Sequence, residues 1–440
     1  MSNHFKSQWW HRLQFRLSTI FIISFGLFVF LAFSLIQTNV SQVLEKKEWR
    51  NNELSNRAII EELQRKTSVA HTLAASMANV ATVISPNKKD YLNLFKSLLE
   101  GSPSQELIAG GGIWPEPYLF NPDTKRNSFF WGKDQNNTLQ FFDDYNDPDG
   151  MGYHHEAWYA PIRYQSAGDV MWSSSYIDPY SKEPMVTCSI PIYKGKQYYG
   201  VSTVDMNLSG LTELVKSWTS TFGGYAIVVD RNGKLITKLP AQTPLGLDEF
   251  PTLDQLAIQN PAFKSINEAI TKLTNKQFQD SQIDSFDPSL QSKLSQDSYQ
   301  ISDDEAKLIS SIIQQPKKNN LDYLYQVSSF KMDMAPIVNE QSLISVSVMP
   351  ETHWKVINII PYSLITAEVK QKIELLLWPL ILTAIASIGI IYLCVHVFFI
   401  SRVKKIASQI SLKNQNVTTS DIITADKGEL GTIVNLFNIH

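Results

Sequence analysis

Four runs between residues 107 and 211 decide the fold class: GGGIWPEPYLF (110–120), VMWSSSYID (170–178), MVTCSIPIY (185–193) and YYGVSTVDMNL (198–208). Each run is short, rich in aromatic and β-branched residues, and bounded by Gly, Pro, Asn or Asp, which is the pattern of β-strands. A second set follows in GYAIVVDRNGKLIT (224–237), with a hairpin turn at 230–233, and in LISVSVMPETHWKVINIIP (343–361). The sequence therefore predicts two separate antiparallel sheets.

Helical patterns surround these strands. Residues 40–80 contain no Pro or Gly and repeat apolar positions at helical intervals, which predicts a long helix over 38–82 that would extend about 60 Å. Its interrupted apolar stripe favours packing on its own domain and on a second copy, so a homodimer is predicted. Residues 248–320 are rich in Gln, Asn, Ser, Lys and Asp, and we expect helices and loops that elaborate the second sheet. The predicted fold class is α+β.

Two uncharged apolar stretches flank this domain, LSTIFIISFGLFVFLAFSLIQ (17–37) and LLLWPLILTAIASIGIIYLCVHVFFI (375–400). Each is long enough to cross a hydrocarbon core of about 30 Å, so both are predicted to be transmembrane helices. The first is too long for a cleaved signal peptide and lacks a small-residue cleavage site. Both flanks are predicted to be cytoplasmic because positive residues precede the first stretch and follow the second: Lys6, Arg12 and Arg16, then Arg402, Lys404 and Lys405.

Composition narrows the class of protein. The 440 residues are 43% apolar and 18% charged, with a net charge of −3 that names no partner and gives no reason to expect nucleic-acid binding. The two cysteines, Cys188 in the outer domain and Cys394 in an apolar stretch, are not expected to form a disulfide. No Gly-rich phosphate loop, nucleophile elbow or metal-binding helix motif is found, so an enzyme is disfavoured and no cofactor is predicted.

Two weak metal patterns occur in one loop. Asp147-Pro148-Asp149-Gly150 followed by Glu156 has part of the spacing of a calcium loop, but Tyr145 would stand at its first ligand position. His154-His155-Glu156 lacks a second cluster of zinc ligands at a suitable spacing. An ordinary loop is the better interpretation, and no metal site is predicted.

The order of a membrane helix, a long helix, two PAS-like sheets and a second membrane helix resembles a double Cache (dCache) receptor. Lys427-Gly428-Glu429-Leu430-Gly431, followed by Phe437-Asn438, resembles the second helix of a HAMP signal relay. The resemblance implies a multi-pass protein of the bacterial inner membrane whose output domain, such as a diguanylate cyclase, a histidine kinase or a chemotaxis rod, is absent from this chain. The predicted order is a cytoplasmic tail (1–16), a transmembrane helix (17–37), an extracytoplasmic sensor (38–372) with a membrane-distal ligand-binding part (83–217) and a membrane-proximal part (218–366), a second transmembrane helix (375–400) and an incomplete HAMP segment (401–440).

The ligand site is predicted from a local motif. Trp158-Tyr159, Tyr176-Ile177-Asp178 and Gly200 to Asp205 resemble the pocket motif of dCache amino-acid sensors, in which an Arg two residues before the Trp binds the ligand carboxylate. This chain has Glu156 there, so it resembles the amine-binding branch of the family, and a small amine is the predicted ligand. The predicted ligand-binding residues are Tyr153, Glu156, Trp158, Tyr159, Tyr176, Asp178 and Asp205.

The same residue types predict this chemistry without the resemblance. Carboxylates such as Asp178 and Asp205 accept charge-assisted hydrogen bonds, and aromatic ring faces attract alkylammonium groups. Three alternatives stay open. In the first, the aromatic residues belong to the core and both aspartates terminate strands. In the second, Arg163 replaces the missing carboxylate clamp and the ligand is an amino acid. In the third, the domain is a dimeric scaffold without a ligand.

Overall fold

The computed structural model describes residues 13–134, 136–240, 250–280, 287–314, 327–405 and 408. The chain divides into two compact units, residues 1–46 with 366–440 and residues 47–365. Among the described residues one helix, Ile373–Lys405, is long and apolar enough to cross a membrane, and a shorter apolar helical run covers Thr19–Leu35. One candidate span is therefore present, and the predicted span at 17–37 stays a prediction. Nearly all of the predicted HAMP segment (401–440) lies outside the described residues.

The helices include the predicted long helix and others that were not predicted. The long helix predicted at 38–82 is confirmed within α1. The α-helices of the described part are α1 (Leu13–Val83), α2 (Lys88–Glu100), α3 (Leu208–Phe222), α4 (Leu253–Gln259), α5 (Ala262–Asp280), α6 (Pro288–Asp297), α7 (Asp303–Gln314) and α8 (Tyr362–Cys394), the last continued by a π-helix, Val395–Ile400. Short 3-10 helices occupy Asp144–Asn146, Tyr153–His155 and Ala160–Tyr164.

The first sheet is antiparallel and contains the four predicted strand runs. Its strands are β1 (Ile108–Pro115), β2 (Phe129–Lys133), β3 (Leu139–Phe142), β4 (Met171–Trp172), β5 (Tyr176–Ile177), β6 (Pro184–Lys194) and β7 (Gln197–Asn207). Their order is β3-β2-β1-β7-β6-β4, with β5 also paired to β6. The run 170–178 is not one strand, because residues 173–175 interrupt it, and β2 and β3 were not predicted.

The second sheet is smaller, and three of its four strands lie in the second predicted set, whereas the strand Val327–Met332 was not predicted. It contains β8 (Tyr225–Val229), β9 (Val327–Met332), β10 (Ser342–Val348) and β11 (Lys355–Pro361), in the antiparallel order β8-β11-β10-β9. The turn at 230–233 forms, with the Gly233 amide donating to the Asp230 carbonyl at 3.1 Å. The chain beyond it makes two isolated bridges, Val229 to Leu235 and Lys234 to Thr252, and does not continue as a strand paired with β8.

Helix α1 contacts both sheets. Its buried positions include small residues such as Ala70 and Ala74, which let the helix backbone approach a sheet closely. The hydroxyl of Ser202 in β7 donates to the Ala74 carbonyl at 2.8 Å, and the Asn56 side chain donates to the Ser345 carbonyl in β10 at 3.1 Å. The helix thus shares a core with both sheets, which is consistent with the predicted α+β class.

The helices between β8 and β9 separate into two pairs. In the first pair, Phe263 and Ile266 of α5 join the main core and α5 packs on β10, as predicted. In the second pair, Leu294 of α6 and Ile309 of α7 join a separate buried cluster with aromatic residues of the first sheet. The prediction that this whole segment elaborates the second sheet is therefore wrong for α6 and α7.

Candidate functional site

Asp205 lies at the centre of the first sheet. It faces Thr187 across the β6–β7 ladder, and its Oδ1 accepts a hydrogen bond from the Thr187 hydroxyl at 2.8 Å. The Tyr176 hydroxyl lies 2.7 Å from the same Thr187 oxygen, which makes a chain from Tyr176 through Thr187 to Asp205. Asp205 is only 3% exposed. Burial raises its pKa to about 7, and the nearby charge of Asp178 adds to this effect.

Asp178 begins the turn after β5 and has both a structural and an electrostatic role. Its Oδ1 accepts from the Tyr145 hydroxyl at 2.8 Å. Its Oδ2 accepts from the amides of Tyr180 at 3.2 Å and Ser181 at 2.6 Å. These bonds agree in part with the alternative that this aspartate terminates a strand. Its buried charge nevertheless acts on Asp205 and on Glu156.

Glu156 follows the 3-10 helix Tyr153–His155 and is 9% exposed. Its Oε1 accepts from the Tyr299 hydroxyl at 2.6 Å. Burial raises the pKa of Glu156, and the hydrogen bonds from Tyr299 and Gln300 oppose that rise. The negative charge of Asp178 raises this pKa further, because a second carboxylate nearby disfavours ionisation.

Aromatic rings pack beside these carboxylates around Trp114 of β1. The ring centroid of Trp158 lies 4.6 Å from that of Trp114, and the Tyr145 ring lies 5.1 Å away, edge-on. The Trp114 indole donates to Thr203 at 2.8 Å. The Trp158 indole N–H is buried and makes no hydrogen bond within the described part of the chain. A buried donor without a partner is uncommon and is available to a ligand.

Two predicted site residues point away from the carboxylates. The Tyr153 hydroxyl donates to the Pro115 carbonyl. The Tyr159 hydroxyl donates to Glu116 Oε1 at 3.0 Å. Both rings support the aromatic cluster, with the Tyr153 ring 5.5 Å from Trp114, but their polar atoms are used elsewhere. The structure thus brings together Glu156, Trp158, Tyr176, Asp178 and Asp205. The hydroxyls of Tyr153 and Tyr159 bond to residues outside this group.

Arg163 is held on the far side of this cluster. Its Nε donates to Glu116 at 2.7 Å, and its guanidinium lies 5.2 Å from the Tyr159 ring centroid and 3.9 Å from Asp297. These contacts hold it away from the Glu156, Asp178 and Asp205 set.

In the loop with the calcium-like spacing, the Arg126 guanidinium donates to the carbonyls of Asp147 and Gly150. A cationic side chain therefore already occupies that loop.

Sequence reasoning missed four residues of the site: Trp114, Tyr145, Thr187 and Tyr299. Thr187 had a detectable signal, because it is a polar residue between the apolar Val186 and Cys188 in the strand run 185–193. Tyr145 lies among turn residues, and nothing in the sequence indicates that its hydroxyl reaches Asp178. Tyr299 is 143 positions from Glu156, its partner.

Comparisons with known proteins match part of this chain to chemoreceptor sensor domains. Residues 92–213 match the family model described as the first PDC sensor domain of methyl-accepting chemotaxis protein-like proteins. A 110-residue stretch is 24% identical to the methyl-accepting chemotaxis protein McpC of Bacillus subtilis (strain 168). That stretch is 25% of this chain and spans only 16% of the length of McpC.

Solved structures with a similar course of the chain are also sensor domains. A structure named methyl-accepting chemotaxis protein X covers 72% of this chain and 98% of its own, at 15% identity and a TM-score of 0.47. The ligand-binding domain of the Pseudomonas aeruginosa PAO1 chemoreceptor PctC covers 72% and 99%, at 15% identity and a TM-score of 0.39. The family match includes every predicted site residue from Tyr153 to Asp205. Residues 92–213 of the chain therefore form a PDC (Cache) sensor domain of the chemoreceptor type, and this stretch contains every candidate site residue except Tyr299.

Proposed function

We propose that the chain is a transmembrane receptor whose membrane-distal sensor part binds a small amine. One observation carries this proposal. Glu156, Asp178 and Asp205 are all buried, and Asp178 lies within electrostatic reach of each of the other two. In the described part of the chain none of the three forms an ion pair with Lys or Arg. A positive charge on His155 would lower the pKa of Glu156, and the Nδ1 of His155 lies 2.9 Å from the Asp297 carbonyl oxygen.

Burying unpaired carboxylates is costly, so such a site either takes up protons or binds a cation. The raised pKa values of Glu156 and Asp205 correspond to proton uptake in the absence of a ligand. An alkylammonium group supplies the missing charge and up to three N–H donors, and the neighbouring Trp158 and Tyr176 rings favour its alkyl carbons. The amine thus satisfies the charge and the shape of the site together.

A different observation favours an amino-acid ligand as the second candidate. The buried Trp158 indole N–H has no acceptor in the described residues, and a ligand carboxylate would supply one. Against this candidate, Glu156 occupies the position expected for a carboxylate clamp, and Arg163 is engaged by Glu116. A carboxylate placed near Glu156, Asp178 and Asp205 would be repelled by like charge.

Titration with matched ligand pairs separates the two candidates. The full chain in detergent micelles is titrated by calorimetry with alanine and ethylamine, leucine and 3-methylbutylamine, and ornithine and putrescine, at equal ionic strength. We expect the amine to bind tighter in each pair by at least about tenfold, or ~1.4 kcal/mol. If the amino acid is tighter in every pair, the amine proposal fails. If no member of any pair binds, the domain is a scaffold without a ligand.

We further propose the topology that carries the signal. Residues 17–37 and 375–400 span the inner membrane, the sensor (38–372) lies outside, and the chain acts as a homodimer that relays ligand binding to a HAMP segment (401–440) and a cytoplasmic output. A small shift between two packings of a helix pair is enough for such a relay. Cysteines introduced at Lys372 and Arg402 should cross-link between subunits at rates that change on adding amine. Equal rates with saturating amine would count against this relay.

A further inference from the structure

The helical pair α6–α7 comes from the chain of the second sheet but packs on the first. Five of its apolar residues are buried in the same cluster as Trp114, Tyr145 and Trp158: Leu290, Leu294, Ile301, Ala306 and Ile309. The pair lies outside residues 92–213, which match the sensor family model. An element from elsewhere in the chain is thus part of the surroundings of the candidate site.

The connection between α6 and α7 contacts the backbone and side chains around Glu156. The Gln300 side-chain oxygen accepts from the Ala157 amide at 2.9 Å, and the Asp297 carboxylate accepts from the Tyr164 hydroxyl at 2.6 Å. Between these contacts the Tyr299 hydroxyl donates to Glu156 Oε1 at 2.6 Å. The connection therefore covers the Glu156 end of the site with its backbone fixed on both sides of Tyr299.

A second anchor holds the helical pair in place at the start of α7. Glu305 at the start of α7 pairs with Arg231 at 2.9 Å and accepts from the Ser174 hydroxyl at 2.8 Å. Arg231 belongs to the turn after β8, whereas Ser174 lies between β4 and β5 of the first sheet. The position of Tyr299 is therefore set by contacts with both sheets.

We propose that Tyr299 is a specificity-determining residue of the amine site. Its ring closes the Glu156 end and limits the length of the ligand, and its hydroxyl orients the Glu156 carboxylate. This inference rests on the proposed function, because it assigns a selectivity to the same site. Tyr299 itself is 52% exposed, so it is an outer wall of the site and removing its ring costs little core packing.

The ring and the hydroxyl can be tested separately. The full chain in detergent micelles is titrated with the n-alkylamines from methylamine to hexylamine, as wild type and as Tyr299→Ala, Tyr299→Phe and Tyr118→Ala. Tyr118 is the matched control because it is 53% exposed and has no role in the site. Unfolding temperatures of the four proteins show whether each variant is folded.

Each variant has a distinct expected profile. Wild type should bind short amines and reject long ones. Tyr299→Ala should raise the affinity for hexylamine relative to ethylamine by about tenfold or more, because the outer wall is gone. Tyr299→Phe should keep the wild-type length preference but weaken every amine by about tenfold, as expected for a lost hydrogen bond to a charged group. Tyr118→Ala should match wild type.

Two results would overturn the inference and are distinguishable. If wild type binds the amines and Tyr299→Ala shows the same length preference, Tyr299 does not limit the ligand, while the amine proposal stands. If wild type binds none of the amines, the proposed function fails and this inference fails with it.

Discussion

Replacing Asp205 by asparagine is expected to stabilise the ligand-free protein at neutral and alkaline pH while removing amine binding. Asparagine has nearly the same shape, and its side-chain oxygen can still accept the hydrogen bond that the Thr187 hydroxyl now donates at 2.8 Å. The substitution therefore removes a buried negative charge and little else. Higher stability together with lost ligand binding is the result expected for a residue that serves binding at a cost in stability.

The direction and size of the change in the free energy of unfolding follow from the pKa of Asp205. Folding raises it from 3.8 to about 7, so the unfolded chain loses this proton first as the pH rises. Stability is therefore lost between about pH 4 and pH 7 and then levels off. The full loss is about 4 kcal/mol, at ~1.36 kcal/mol for each tenfold change in proton affinity. Between about pH 5 and pH 8 wild type should lose roughly 2–3 kcal/mol relative to Asp205→Asn.

The assay is denaturant unfolding of the full chain in one detergent, followed by tryptophan fluorescence across this pH range. Glu156 also has a raised pKa, but it is present in both proteins and its effect cancels in the difference. Asp123→Asn, at an exposed loop position, controls for the loss of one negative charge. A variant that is less stable than wild type at pH 8, or a difference that does not change with pH, would refute the reasoning.

Three further outcomes are expected. Amine affinity should rise from about pH 6 to pH 8, because Asp205, with a pKa of about 7, must lose its proton to pair with the cation. Calorimetry in two buffers of different ionisation enthalpy should show that protons are released on amine binding, and proton uptake would contradict this. Tyr145→Phe should cost about 1.5–3 kcal/mol in denaturant unfolding, because Asp178 loses its phenol donor; an unchanged midpoint would mean that water replaces the phenol. Leu294→Ala, at a fully buried position of α6, should cost about 2–5 kcal/mol and weaken amine binding, whereas a stable variant with intact binding would mean that α6 is not needed to close the site.

The sequence alone predicted the main elements and several residues of the candidate site. Apolar spacing predicted the long helix, since periodicity records which face of an element is buried, and short runs of aromatic and β-branched residues bounded by turn residues predicted both sheets. The positions of Glu156, Asp178 and Asp205 were predicted from a local motif, and the structure places all three together in buried surroundings. These features are local in the chain, so they can be read without knowing how distant segments pack.

Only the tertiary structure decided which side chains complete the site and which leave it. Tyr159 and Arg163 turn towards Glu116, although their positions in the sequence are equally compatible with the ligand site. Tyr299 reaches Glu156 across 143 residues because α6 and α7 pack on the first sheet. An apolar stripe shows that a helix face is buried but not against which surface, because that choice depends on the shape and contacts of the whole core.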